Sequence, residues 1–343
     1  NPMPDNGIKL FSRGGGKLDD AIEAAIEKRM GEPWVRPTGR NVGRISFDAT
    51  AADRYLSHLL GSVATDLQGL KIVVDCANGA ASQIAPRAYE KAGATVVAIH
   101  HQPDGWNINQ DCGSTHLADL QARVIAEKAD FGIAHDGDSD RCLAVDATGA
   151  VIDGDVIMTI LARGFKERGA LRDNTIVATV MSNLGFMKAM QAADIKVITT
   201  TVGDRYVLEE MLKGNYSLGG EQSGHLIMRE FAGTGDGILT ALQLAQEVKR
   251  TNRSLADLAA AMQRFPQVLI NVSNVAKEKL ESSEKISSAV AGAEATLADS
   301  GRVLLRASGT EPLVRVMVEA ASDNLAQEIA ASLAAVVKAE LEI

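Results

Sequence analysis

The stretch FGIAHDGDSDRCLAV, residues 131–145, sets Asp136, Asp138 and Asp140 on alternate positions behind an apolar run and closes them with Arg141. Three carboxylates in one turn repel one another unless a cation lies among them. An apolar strand that runs into such a loop presents it at the carboxyl edge of a parallel sheet, where α/β proteins commonly bind ligands. Hard oxygen donors suit Mg2+ or Ca2+ and not zinc, which favours nitrogen and sulfur. The calcium helix-loop-helix pattern needs Gly at the sixth loop position and Glu at the twelfth; Arg141 and Ala147 stand there, so that reading fails. A phosphatase with an aspartate nucleophile and a plain solvated acidic turn both stay open.

Two further stretches carry chemistry. In LRASGTEPLVRVMVEA, Arg306, Ser308 and Thr310 surround Gly309, and Arg315 lies in the following run. Hydroxyls, backbone N–H groups and two guanidinium groups together suit a phosphate dianion; the alternative is a hairpin whose arginines face solvent. In GGEQSGH, glycines bracket Glu221 and Ser223, which suit sugar hydroxyls, and His225 is able to handle protons near neutral pH. TTVGDRYV adds Asp204 and Arg205 after a β-branched run.

The elements that must position these groups follow from periodicity. GIKLF reads as an opening strand, and residues 19–30 as a helix. GEPWVRPTGRNVGR is a linker or surface loop, and DATAADRYLSHLLGSV is a helix with Asp48 as its N-cap. LKIVVDCANGAASQIAPRAYEKAGATVVAIH has the strand–turn–helix–strand rhythm of a parallel α/β unit, and a second such cycle begins at GDVIMTILARGF. The two cycles share length and rhythm, as a divergent internal duplication would. From FPQVLINVSNV onward the pattern is strand, charged helix, strand, strand and amphipathic helix, a small α+β domain.

Composition bounds the class. The 343 residues exceed one typical core, and 46% hydrophobic with 23% charged residues is ordinary for a globular protein of about two to four domains. No apolar run is long enough to span a bilayer free of charge, which argues against a membrane partner. The net charge of −9 argues against a general nucleic-acid binder, while leaving room for a local basic phosphate site. Cys76, Cys112 and Cys142 form no Cys-x-x-Cys pair, and three free thiols in a reducing cytoplasm are expected.

Taken in this order, DGDSDR, VGDRYV, GEQSGH and RASGTEP resemble the α-D-phosphohexomutases over essentially the whole chain. The resemblance implies a multi-domain α/β architecture of mixed three-layer domains followed by a small C-terminal α+β domain. Expected boundaries are 1–48 for the remainder of a serine-loop domain, 49–150 for a metal-binding domain, 151–264 for a sugar-binding domain and 265–343 for a phosphate-binding domain. The family carries its phosphoryl group on a Ser-His-Asn-Pro loop. Asn1-Pro2 followed by DNGIK resembles that motif cut after Ser-His, so the phosphorylatable serine is expected directly ahead of Asn1.

The resemblance also implies roles. Asp136, Asp138 and Asp140 would bind Mg2+, and Arg141 would contact the transferring phosphoryl group or the serine loop. Lys9 matches a lysine near the reacting phosphate and His225 a histidine at the sugar, so Lys9, Arg141 and His225 form the expected catalytic set. Glu221 and Ser223, with Asp204 and Arg205, would bind sugar. Arg306, Ser308, Gly309, Thr310 and Arg315 would hold the phosphate that is not being transferred. GEQSGH, SGTEP and Asp204 look like the glucosamine branch, not the mannose/glucose branch. The implied reaction interconverts glucosamine 6-phosphate and glucosamine 1-phosphate through a phosphoserine enzyme and glucosamine 1,6-bisphosphate, feeding UDP-N-acetylglucosamine and cell-wall synthesis. A phosphomannomutase/phosphoglucomutase and a non-catalytic sugar-phosphate-binding protein remain as alternatives, and a homodimer is allowed.

Overall fold

The structure, a computed structural model, describes residues 1–343 except Asn6, Lys17, Gly309 and Thr310. It forms two compact units: residues 1–181 with 193–261, and residues 182–192 with 262–343. Among the described residues, no helix is long and apolar enough to cross a membrane.

Residues 1–50 carry little regular structure. Helix α1 spans Asp20–Met30, close to its expected position. GIKLF forms no strand element: apart from a single bridge position at Phe11 the segment is irregular, and Ile8, Leu10 and Phe11 are exposed, so no sheet ladder among the described residues draws it into a strand. Helix α2, Ala51–Gly61, begins three residues after Asp48. Asp48 instead accepts from the backbone N of Thr50 at 2.9 Å and pairs with Arg54, so it closes the turn before the helix and does not cap its first residue.

Strand β1 (Lys71–Asp75), helix α3 (Ala81–Lys91), β2 (Thr95–Ile99), α4 (Ala118–Glu127), β3 (Phe131–Ala134), β4 (Leu143–Asp146) and β5 (Val151–Ile152) build the first sheet, ordered β2-β1-β3-β4-β5. β1 is parallel to β2 and β3, whereas β3 and β4 are an antiparallel hairpin. The run IVVD of β1 is buried throughout because a parallel strand is covered on both faces. Val73, Ala134 and Val145 pack with Leu120 and Val124 of α4, each buried Val or Leu side chain contributing about 1.5–3 kcal/mol against exposure.

Helix α5 (Gly154–Glu167), β6 (Thr175–Thr179), α6 (Leu184–Ala192), β7 (Lys196–Thr200), α7 (Asp204–Lys213), β8 (Leu218–Gly220), β9 (Leu226–Met228), α8 (Gly237–Thr251) and α9 (Leu255–Ala259) follow. Their sheet is ordered β7-β6-β8-β9. β6 is parallel to β7 and β8, and β8–β9 is an antiparallel hairpin. This repeats the order and direction of β2-β1-β3-β4, the architecture an internal duplication would leave. Two of the stretches singled out for chemistry, DGDSDR and GGEQSGH, therefore occupy equivalent places, the β3–β4 and β8–β9 turns.

The second unit holds α6 and, after it in the chain, β10 (Gln267–Ser273), α10 (Glu284–Leu297), β11 (Arg302–Ala307), β12 (Leu313–Glu319) and α11 (Asp323–Leu341). β12 pairs antiparallel with both β10 and β11, in the order β10-β12-β11. Val314, Val316 and Val318 pack into a core with Ile329, Leu333 and Val337 of α11, which leaves Arg315, Met317 and Glu319 on the other face. Glu319 is fully buried and paired with Arg302 at 2.7 Å, and it also accepts from the backbone N of Leu184 at 2.8 Å. A carboxylate there complements the N-terminus of α6 and ties that helix to this unit.

Candidate active site

The β3–β4 turn is drawn into a tight loop by its own backbone. Ser139 N donates to Asp136 O at 3.0 Å, and Arg141 N donates to the Asp136 carboxylate at 3.1 Å. His135, fully buried below the loop, has its pKa lowered by burial and stays neutral. Its Nδ1 lies 3.0 Å from the Arg141 carbonyl and so carries the proton, while Nε2 accepts from the Tyr89 hydroxyl at 2.7 Å. His135 therefore closes the loop across its base.

The Glu221–His225 turn meets this loop directly. Arg141 and His225 form an antiparallel bridge, and Cys142 N donates to Gly224 O at 3.0 Å. The approach needs glycine at two positions. Gly224 has φ +93°, and a Cβ there would lie 2.5 Å from Cys142 O. A Cβ on Gly237 would lie 2.1 Å from Arg141 O.

Side chains converge accordingly. His225, 4% exposed, places Nδ1 3.4 Å from Asp140 and Nε2 3.8 Å from Asp204. Gly235 N donates to Nε2 at 3.2 Å, so the neutral ring carries its proton on Nδ1, facing Asp140. Glu221 accepts from Gly203 N at 3.0 Å, just ahead of α7, and Ser223 Oγ lies 3.5 Å from its other oxygen. Arg205 is not brought to this turn; its guanidinium pairs with Glu209 at 2.9 Å and with Asp20.

Ligand oxygens of Asp136, Asp138 and Asp140 lie within 4.8 Å of one another. Burial pushes the Asp136 carboxyl up, and the charges of Asp140 and Asp138 push it further. Burial acts the same way on Asp140, but its hydrogen bond to His225 and then the charge and hydrogen bond of Lys9 more than reverse it and hold that carboxyl low. Lys9 contacts Asp138 and lies 3.3 Å from Asp140. Burial lowers the Lys9 pKa, but these two carboxylates raise it overall. Arg141 Nε, buried and without a hydrogen-bond partner among the described residues, lies 3.8 Å from Asp136 and 3.9 Å from Asp140. An all-oxygen, mutually repelling set that already attracts an ammonium group fits a hard divalent cation. The loop opens into a cavity of about 920 Å³ lined also by Asn109, Thr115 and His116.

In the second unit, Arg306 and Arg315 stand opposite each other in the β11–β12 ladder, and Asn271 of β10 is the next partner of Arg315. Ser308 is buried, its N donating to Leu313 O at 2.9 Å and its Oγ accepting from Glu311 N at 3.3 Å. Two guanidinium groups directly opposed are unfavourable without an anion. Gly309 and Thr310, expected in the same phosphate site, lie outside the described residues.

Sequence reasoning missed His135, Tyr89 and the Asn109–His116 segment. His135 had a readable signal, a histidine ending an apolar strand one residue before the acidic turn; the others are joined only by the fold. It also missed Asp75, fully buried, which accepts from Ala77 N and Gly113 N at 2.9 Å and lies 3.0 Å from His100 Nδ1. Asp75 staples the end of β1 to two loops. The three cysteines are buried and free.

Family models described as phosphoglucomutase/phosphomannomutase match this chain in three parts: alpha/beta/alpha domain II at residues 53–149, alpha/beta/alpha domain III at 153–265 and the C-terminal domain at 269–336. A phosphoglucosamine mutase of Thermobifida fusca (strain YX) is 58% identical over 343 residues, covering 100% of this chain and 76% of that relative. One from Nocardioides sp. (strain ATCC BAA-499 / JS614) is 57% identical over 343 residues, covering 100% and 77%. Among solved structures, Aspergillus fumigatus N-acetylphosphoglucosamine mutase, in complex with GlcNAc-6P and magnesium, superposes with a TM-score of 0.70 at 19% identity, covering 86% of this chain and 67% of that one. A phosphoglucomutase/phosphomannomutase family protein from Burkholderia thailandensis gives 0.71 at 23% identity, covering 85% and 66%. At these identities the two structures speak to the fold alone.

Proposed function

The chain belongs to the phosphoglucomutase/phosphomannomutase family, and from that premise we propose that it interconverts glucosamine 6-phosphate and glucosamine 1-phosphate, the phosphoglucosamine mutase reaction. The observation that carries the reading is the meeting of the β3–β4 and β8–β9 turns, which sets three metal-type carboxylates beside a carboxylate and a hydroxyl suited to a sugar. Identity of 58% across the whole chain supports glucosamine as the sugar.

Asp136, Asp138 and Asp140 would hold Mg2+, which when bound offsets negative charge on phosphoryl oxygens. His225 Nδ1–H steadies Asp140, and the Arg141 guanidinium, whose Nε has no hydrogen-bond partner among the described residues, is placed to donate to a phosphoryl oxygen beside those carboxylates. Lys9 would turn from the carboxylates to the phosphoryl group once a cation occupies them. Glu221 and Ser223 would bind sugar hydroxyls, with Asp204 behind His225. Arg306, Ser308 and Arg315 of the second unit would bind a sugar-linked phosphate.

In the chemistry itself, a phosphoserine of the family's Ser-His-Asn-Pro pattern gives its phosphoryl group to glucosamine 6-phosphate. The resulting glucosamine 1,6-bisphosphate returns its 6-phosphoryl group to the serine, leaving glucosamine 1-phosphate. Positioning and charge neutralisation supply the catalysis, since phosphoryl transfer asks little other covalent work of the protein. Three buried free thiols are in keeping with a reducing, cytoplasmic setting.

The test is turnover by a chain carrying the family's Ser-His pair directly before Asn1. Glucosamine 6-phosphate is expected to be the preferred substrate; equal or faster turnover of glucose 1-phosphate or mannose 1-phosphate would overturn the assignment.

A further inference from the structure

We propose that Lys277 is a positioning residue for phosphate binding by the second unit, acting through the carbonyl of Ser308. The inference rests on the reading of Arg306, Ser308 and Arg315 as a phosphate site. Lys277 follows β10 at the start of a short 3-10 helix, Lys277–Ser282. Its ammonium donates to Ser308 O at 2.5 Å.

The turn that carries Lys277 is anchored from the opposite side. Ala276 N donates to Leu341 O at 2.8 Å, Lys277 N donates to Val275 O at 2.9 Å, and the buried Val275 bridges Glu342. Val275 N also donates to Pro312 O at 3.4 Å. The turn is thus fixed to the end of α11 and holds two carbonyls, those of Ser308 and Pro312, that lie on either side of the phosphate motif. The ammonium bond is the charge-assisted one of these, and such bonds are roughly twice as strong as neutral ones.

One consequence follows for a phosphate. Ser308, two residues beyond Arg306, has its carbonyl held before any ligand arrives, so less ordering accompanies binding. Lys277 and Arg306 line one groove of about 770 Å³ together with Glu278, Glu281 and Glu294, so the ammonium acts through the carbonyl it holds and not as pooled positive charge.

The experiment measures the dissociation constant of glucosamine 6-phosphate by calorimetry, with the thermal midpoint taken on the same samples. Lys277→Met is expected to weaken binding about tenfold at an unchanged midpoint, and Lys277→Arg, which keeps charge and donors, to restore it to within about threefold. Arg306→Leu serves as the control. If Arg306→Leu leaves affinity unchanged, the phosphate-site reading itself fails. If Arg306→Leu weakens binding while Lys277→Met does not, or if Lys277→Arg is as weak as Lys277→Met, the positioning role is overturned. Should Lys277→Met not fold, Lys277→Gln takes its place, and parental affinity there overturns the role equally.

Discussion

His225 turns its protonated Nδ1 toward Asp140 at 3.4 Å while Gly235 N holds its other nitrogen at 3.2 Å. The ring is thereby fixed in one tautomer as a support for a metal-type carboxylate. Partners that orient a ligand in this way typically carry 10–100-fold in metal affinity. His225→Ala is expected to weaken Mg2+ binding by about that much, measured by calorimetry. His225→Asn, which keeps a donor near the Nδ1 position, should retain most of it; equal loss in both variants would sink the support role.

Asp136 predicts an opposite sign for stability. Its carboxyl is raised in the fold by burial and by Asp140 and Asp138. A raised carboxyl pKa means that ionisation costs the folded state more than the unfolded one. Without metal, stability should therefore fall as pH rises through and above the ordinary carboxylate range. Asp136→Asn, whose amide oxygen still accepts from Arg141 N, is expected to raise the melting temperature by about 2–4 °C in EDTA at neutral pH. In saturating Mg2+ the order should invert. A scanning melt with and without Mg2+ decides it, and no gain in EDTA would count against the buried repulsion.

Arg306 and Arg315 form a like-charge pair directly across the β11–β12 ladder. Such a pair destabilises by roughly 0.2–1 kcal/mol unless an anion lies between the charges. Arg315→Gln is expected to raise the midpoint of the phosphate-free chain slightly and to remove most of the stabilisation that added glucosamine 6-phosphate gives the parent. A parental response to ligand in Arg315→Gln would place the phosphate elsewhere.

Thiol chemistry gives a fourth expectation. Burial, and then the Asp75 charge, pushes Cys76 up to about 12 and Cys112 up to about 11. At pH 8 the Cys112 thiolate is on the order of one in a thousand molecules. Burial raises Cys142 as well. Iodoacetamide at pH 8 should leave the native chain unmodified by mass and label three sites after denaturation. Rapid native labelling would contradict the burial.

The sequence by itself determined a good deal. Strand–turn–helix periodicity marked both α/β cycles, because a doubly covered strand must be an unbroken apolar run such as IVVD in β1. The acidic turn was legible because three carboxylates at alternate positions have no comfortable state without a cation. GIKLF was misread as a strand because local composition says nothing about whether a sheet partner exists, and Asp48 was moved off the cap by its bond to Thr50.

Only the tertiary structure decided which groups meet. The β3–β4 and β8–β9 turns are far apart in the chain, and nothing in either stretch names the other. Two topologically equivalent hairpins, joined where Gly224 lets the backbones touch, set His225 on Asp140 and left Arg205 on Glu209. Lys277 reaches Ser308 for the same reason: an antiparallel order of β10-β12-β11 brings the end of one strand beside the end of another. Residue types state what chemistry is available, but proximity between distant segments is a property of packing.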